Sequence, residues 1–242
     1  SLKSVLSSMS NFIENILDEE EEFKNYKSVV RRIENPAKEL VREKTVYSKE
    51  EVINLLDTLV EQGKIIQACV VALAAFSGRR KSELLRFKVS YFEPENVIYG
   101  SLYKTPEKVM SKGRGSKGKM LTMYVLKNDF DPYLELWLKK REELGITSEW
   151  LFPMKLADGT WSETEPMKKE TLDNWTDNFT KITGKPCYFH SFRHFFTTEC
   201  FRHNLPSNII QDIIGWDSAD MCNLYNDASV EESLAQYFDE NG

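Results

Sequence analysis

Apolar residues at Leu2, Val5, Leu6, Met9, Phe12, Ile13, Ile16 and Leu17 recur at intervals of three and four, and so do Phe23, Tyr26, Val30 and Ile33. This periodicity predicts helix through the N-terminal segment, with an acidic joint between two stretches and an apolar stripe that must pack on something. Asn35-Pro36 breaks the period, and the mixed segment to Tyr47 reads as a linker. Ser48 with Glu51 is a capping-box signature for a helix to about Glu61, and the nearly continuous apolar run Ile65 to Phe76 predicts a buried helix. Lys81 to Phe87 continues helically after Gly78. Val97-Ile98-Tyr99 and Leu121 to Val125 are β-prone and flank the segment Gly113 to Gly118, so a small sheet with a turn at its edge is expected. Helices are predicted near 131–144, 168–182, 189–203, 206–214 and 228–238, with the turn pair Asp158-Gly159 between the first two. The expected fold class is mainly α with a small antiparallel β-sheet (α+β).

The 242 residues and 41% hydrophobic content are enough for one large domain, or a large one with an appendage. The apolar run at Ile65 to Phe76 contains Gln67, ends at Gly78 and is too short for a membrane span, and the N-terminus lacks a signal-peptide pattern. Cys69, Cys187, Cys200 and Cys222 have no CxxC spacing and are not a disulfide framework, so a reducing, cytoplasmic location without membrane association is expected. Serine at position 1 suggests a fragment or a processed chain. The net charge of −6 argues against a nucleic-acid binder, but five acids are concentrated in residues 18–22. Tyr103 to Met120, by contrast, carries Lys104, Lys108, Lys112, Arg114, Lys117 and Lys119 against the single acid Glu107. Such a basic patch is what phosphate contact requires.

Helical residues advance about 100° each, so His190, Arg193 and His194 share an arc of roughly that width, and one face presents an imidazole and a guanidinium to a single anion. Arg80 and Glu83 likewise share a helical face, a spacing that a simple surface ion pair would also satisfy. Cys187, His190, His194, Cys200 and His203 resemble a zinc set in composition. On one helix, however, Cys200 and His203 would point roughly 80° and 140° away from His190, so no metal is expected.

Taken in order, Ser77-Gly78-Arg79-Arg80-Lys81-Ser82-Glu83-Leu84, the basic turn around Lys117, His190-Ser191-Phe192-Arg193-His194, Gly215-Trp216 and Tyr225 nine positions after the tryptophan resemble the tyrosine recombinases of the phage-integrase type, over about Tyr47 to Phe238. The resemblance implies that Arg80, His190, Arg193 and Trp216 bind a scissile DNA phosphate, supported by Glu83 and His194. It further implies that Tyr225 attacks that phosphate and that Lys117 protonates the leaving 5′ oxygen, with Lys119 and Lys112 as alternative donors. Tyr188 and Tyr237 are rival nucleophiles at intervals that do not match. Lys104, Lys112, Arg114 and Lys119 are the candidate DNA contacts. Arg79 departs from the apolar residue usual at its position, and its role, DNA contact or solvated charge, stays open.

The implied division is residues 1–45, the C-terminal part of a helical core-binding domain plus linker, and 46–242, the catalytic domain. The implied activity is site-specific cleavage and rejoining of double-stranded DNA without cofactor. It would be carried out by a homo-tetramer on DNA, with a monomer as the open possibility for the free state, and Val230 to Phe238 is the candidate helix for exchange between neighbours. A non-catalytic DNA-binding relative and a topoisomerase-like enzyme are the alternatives.

Overall fold

The computed structural model describes residues 2–16, 45–112 and 119–216. Backbone contacts divide the chain into two units, residues 1–43 and 44–242. In the first, helix α1 (Leu2–Ile16) follows the predicted period, but Val5, Leu6, Met9 and Phe12 of its stripe are exposed.

The second unit is built around α3 (Ile65–Ser77). Its residues from Ala68 to Ser77 are all buried, as expected of a helix that is apolar on every side. Three helices surround it: α2 (Lys49–Glu61), α5 (Lys127–Glu143) and α7 (Phe189–Arg202). The capping box of α2 forms as predicted, with Ser48 Oγ accepting from Glu51 N and Glu51 Oε2 accepting from Ser48 N. Phe189, Phe192 and Phe195 of α7 enter the same core, where Phe192 stacks on Tyr47. Helix α6 (Lys169–Thr183) packs on α2, and α8 (Ser207–Ile214) packs on α7.

Between Lys81 and Phe87 only Lys81–Leu84 is helical, as the short α4. The chain then turns to pair with 149–151: Val89 N donates to Glu149 O and Leu151 N to Phe87 O. Backbone satisfaction across this contact replaces further helix. Helix α5 begins at Lys127, four residues earlier than expected; it accommodates Pro132 internally, and the Lys127–Asp131 pair spans one turn.

The β structure is more divided than expected. Strands β1 (Val97–Ile98), β2 (Leu102–Lys104) and β5 (Tyr124–Leu126) form an antiparallel sheet in the order β1-β2-β5. Strands β3 (Val109–Lys112) and β4 (Lys119–Leu121) form a separate hairpin. A further hairpin, β6 (Pro153–Lys155) with β7 (Trp161–Pro166), lies where only a turn was predicted. Its strands contain prolines and glutamates and carry little β propensity. Tertiary contacts hold it instead: Trp161 packs edge-on against Trp137, Trp150 Nε1 donates to Thr164 O, and Asp158 Oδ1 accepts from Thr160 N in the turn.

Candidate active site

Helices α3 and α8 both end on glycines in the left-handed region, and these two ends meet. Gly78 (φ 63°) caps α3 and Gly215 (φ 76°) caps α8, and their N–H groups donate to Ala74 O and Gln211 O. Neither position has room for a side chain. A Cβ on Gly78 would lie 2.6 Å from Phe196 Cδ1 and 2.8 Å from Ile214 Cδ1, and one on Gly215 would lie 2.2 Å from Leu121 Cδ1.

The last carbonyls of a helix lack intrahelical donors and carry the negative end of its dipole. Here three cations serve them. Arg193 Nη1 donates to Gly78 O and Nη2 to Ile214 O, each at 3.1 Å. Arg79 Nε donates to Ser77 O at 3.0 Å and its Nη2 to Ile213 O. Lys119 Nζ donates to Gly215 O at 3.2 Å. These bonds fix the guanidinium planes and set the path of the chain into Arg80 on one side and Trp216 on the other.

Glu83, fully buried, organises the next layer. Its Oε1 accepts from Arg80 Nη1 at 2.8 Å and from Ser111 Oγ at 2.6 Å, its Oε2 accepts from Arg80 N at 2.9 Å, and Arg193 Nη1 stands 4.0 Å from Oε2. Burial alone would raise this carboxyl. The Arg79 charge, the Ser111 hydroxyl and the Arg80 N–H groups outweigh it, and the pKa falls below the ordinary range. Arg193 Cζ lies 5.8 Å from the Trp216 ring centroid. His190, at the exposed start of α7, packs edge-on against His194 with ring centroids 5.4 Å apart. Its pKa is lowered by burial of part of the ring and then by the charges of Arg193 and Arg80, so the imidazole is held neutral near these two cations.

The structure therefore brings Arg80, Glu83, His190, Arg193, His194 and Trp216 together from three separate parts of the chain. Arg80 is partly exposed, whereas Arg193 is buried behind it. Lys104 is exposed on β2, and Lys112 ends β3 opposite Lys119. Lys119 is turned toward Gly215 O. Arg114, Lys117 and Tyr225 lie outside the described residues, as does Val230 to Phe238.

Arg79 is neither of the two things expected of it, since it is completely buried among carbonyls. Its place just past the long apolar run of α3 and the Gly78 cap hinted at burial but not at its acceptors. Ser111, which touches both Arg80 and Glu83, carried no signal in the sequence. Among the described residues no three His, Cys, Asp or Glu side chains lie close enough to hold a metal ion, and no helix is long and apolar enough to cross a membrane.

Comparison with known proteins identifies the family of the chain. The profile of the phage integrase family matches residues 45–232. The chain is 29% identical over 197 residues to the SPbeta prophage-derived recombinase-like protein YomM of Bacillus subtilis (strain 168), a match that covers 79% of this chain and 55% of that protein. It is 22% identical over 204 residues to tyrosine recombinase XerH of Helicobacter pylori (strain ATCC 700392 / 26695), covering 81% of this chain and 52% of the relative. The fold is shared with the Tn1549 transposon integrase in complex with circular intermediate DNA, at a TM-score of 0.60 and 16% identity, over 97% of this chain and 77% of that one. The chain spans about half the length of the curated relatives it matches. With the family profile covering most of its length and the fold agreeing, the chain belongs to the phage integrase family.

Proposed function

We propose that this chain is the catalytic portion of a site-specific DNA recombinase, and that the cluster around Glu83 binds the scissile phosphate. The observation that carries this reading is the convergence of Arg80 and Arg193 on opposite oxygens of one buried carboxylate, with His190 beside both cations. Such preorganised donors favour charge that develops on a phosphorane. Guanidinium forks suit phosphate oxygens, and a neutral imidazole and an indole N–H add uncharged donors.

In this mechanism the Tyr225 hydroxyl passes its proton to a nearby base and attacks the phosphorus, the bond to the 5′ oxygen breaks, and the product is a 3′-phosphotyrosyl link. Phenolate formation at pH 7 costs about 4 kcal/mol, which the cationic pocket offsets as negative charge moves onto the phosphate. Lys117 gives its proton to the departing 5′ oxygen. A 5′ hydroxyl from another strand then attacks the phosphotyrosine and restores the tyrosine. One phosphoester replaces another at each step, so no nucleotide is consumed. Double-stranded DNA is the partner, which the DNA complex of the Tn1549 integrase supports, and we take a tetramer on paired sites as the working assembly.

The test is covalent capture. Nicked suicide duplexes with a randomised core, incubated with wild-type protein and run on a denaturing gel, should give a protein–DNA adduct that Tyr225→Phe fails to form while keeping DNA affinity. Binding without adduct in the wild type would favour a non-catalytic DNA-binding relative. Relaxation of supercoiled plasmid lacking any recovered site would favour a topoisomerase.

A further inference from the structure

Arg79 is not among the residues assigned to the phosphate, yet it is among the largest fully buried side chains of the protein. A buried guanidinium is expensive to maintain, and an apolar residue of similar volume is often the more stable choice. Desolvation pulls its pKa down to about 10, against the raising effect of Glu83. Two of its nitrogens are bonded to Ser77 O and Ile213 O, while Nη1 has no hydrogen-bond partner among the described residues. An unpaired buried donor costs about 1–3 kcal/mol. Stability alone does not account for this side chain.

Its two acceptors do. Ser77 O lies at the end of α3, three residues before Arg80, and Ile213 O lies at the end of α8, three residues before Trp216. Arg193 spans the same two ends one residue further along, between Gly78 O and Ile214 O. Arg79 and Arg193 thus form a paired clamp across two helix termini whose unsatisfied carbonyls attract cations.

We infer that Arg79 is a positioning residue for strand cleavage, holding Trp216 and Arg80 at a fixed separation by bridging the ends of α8 and α3; this rests on the recombinase reading above. The clamp has a second action through charge. Arg79 helps to keep Glu83 ionised, and ionised Glu83 in turn holds the Arg80 side chain and backbone N–H. Arg79 acts through the Ser77 and Ile213 carbonyls and through Glu83, and is assigned no contact with substrate.

The experiment compares wild type with Arg79→Leu and Arg79→Lys on a suicide duplex recovered by wild-type capture, measuring DNA affinity and single-turnover cleavage separately. Each protein is also labelled with 5-fluorotryptophan, and the Trp216 resonance is assigned through Trp216→Phe. The expected result for Arg79→Leu is cleavage slowed roughly 10- to 100-fold at DNA affinity within about twofold of wild type, in the range reported for misplaced catalytic groups. Arg79→Lys, which keeps the charge and can reach one carbonyl, should recover part of the rate. The Trp216 fluorine resonance should move in both, with those of Trp137, Trp150, Trp161 and Trp175 unchanged.

A folded variant that cleaves at the wild-type rate overturns the inference. If Arg79→Leu does not fold, Arg79→Lys carries the same criterion. If wild type itself forms no adduct, the recombinase reading fails instead, and the fluorine spectra still decide whether Arg79 positions Trp216.

Discussion

Lys119 Nζ donates to the carbonyl oxygen of Gly215 at 3.2 Å, which ties the β3–β4 hairpin to the turn that carries Trp216. Leu121, at the end of β4, packs against the same glycine. The hairpin is held at its other strand as well, where Arg86 donates to Met110 O and Ser111 bonds Glu83. Its two strands therefore reach both sides of the cluster around Glu83.

Lys119→Met should slow cleavage about tenfold by loosening that tie, and should leave the salt dependence of DNA binding nearly unchanged. A lysine bound to phosphate would instead remove about 0.9 from the slope of log affinity against log salt. Binding titrations over a salt series distinguish the two. A reduced slope with unaltered cleavage would return Lys119 to the role of DNA contact.

Local signals in the sequence were enough for the elements that place the cluster. The Ser48–Glu51 capping box, the apolar run of α3 that stops at Gly78, and the helix predicted over 206–214 depend on neighbours in the chain, and each forms as read. Arg79 could not be read this way, because Ile213 O, its distant acceptor, is 134 residues away. Ser111 and Lys119 are similar cases, each facing a partner on another element. The β6–β7 hairpin escaped for a related reason: its stability comes from Trp137 and Trp150, outside its strands, and not from its own propensities. A sequence displays charges and periods, whereas the acceptors that fix a buried charge appear only once the helix ends are brought together.

Gly215→Ala should destabilise the protein by about 2–4 kcal/mol, combining the left-handed backbone penalty with overpacking. The added methyl would stand 2.2 Å from Leu121 Cδ1. Leu121→Ala in the same chain should relieve the steric part and leave the backbone part, so a double-mutant cycle by urea denaturation should show positive coupling. Strict additivity of the two changes would mean that Leu121 moves aside without cost.

His190 supplies the pH signature. Its folded pKa lies below the ordinary imidazole value, through partial burial and then the charges of Arg193 and Arg80. The folded state therefore binds fewer protons than the unfolded state, so stability rises with pH through the window below about 6.5 and is lost as pH falls through it. His190→Gln should flatten this part of the stability curve in denaturation measured from about pH 5 to 8. Phosphate binding works in the opposite sense: an anion beside the ring raises its pKa, so DNA binding should take up a proton as pH falls into the imidazole range. Calorimetry in buffers of different ionisation enthalpy reads that uptake directly, and uptake unchanged in His190→Gln would assign it to another group.

The proton donor is the last point the chemistry can separate. Lys112 and Lys117 bracket opposite ends of one short segment, and Lys112 follows Ser111, which contacts Arg80 and Glu83. A general acid matters because an alkoxide is a poor leaving group, and losing it should slow cleavage about 10²- to 10⁴-fold. Replacing the bridging 5′ oxygen of the scissile phosphate by sulfur removes that need, since a thiolate with pKa near 8.5 leaves without a proton. Lys117→Ala should therefore be severely slowed on the oxygen substrate and restored to nearly the wild-type rate on the sulfur one. Lys112→Ala should be slowed less and equally on both. If the restored variant is Lys112→Ala instead, the proton comes from the end of β3, and Lys117 is left as a contact to the DNA backbone.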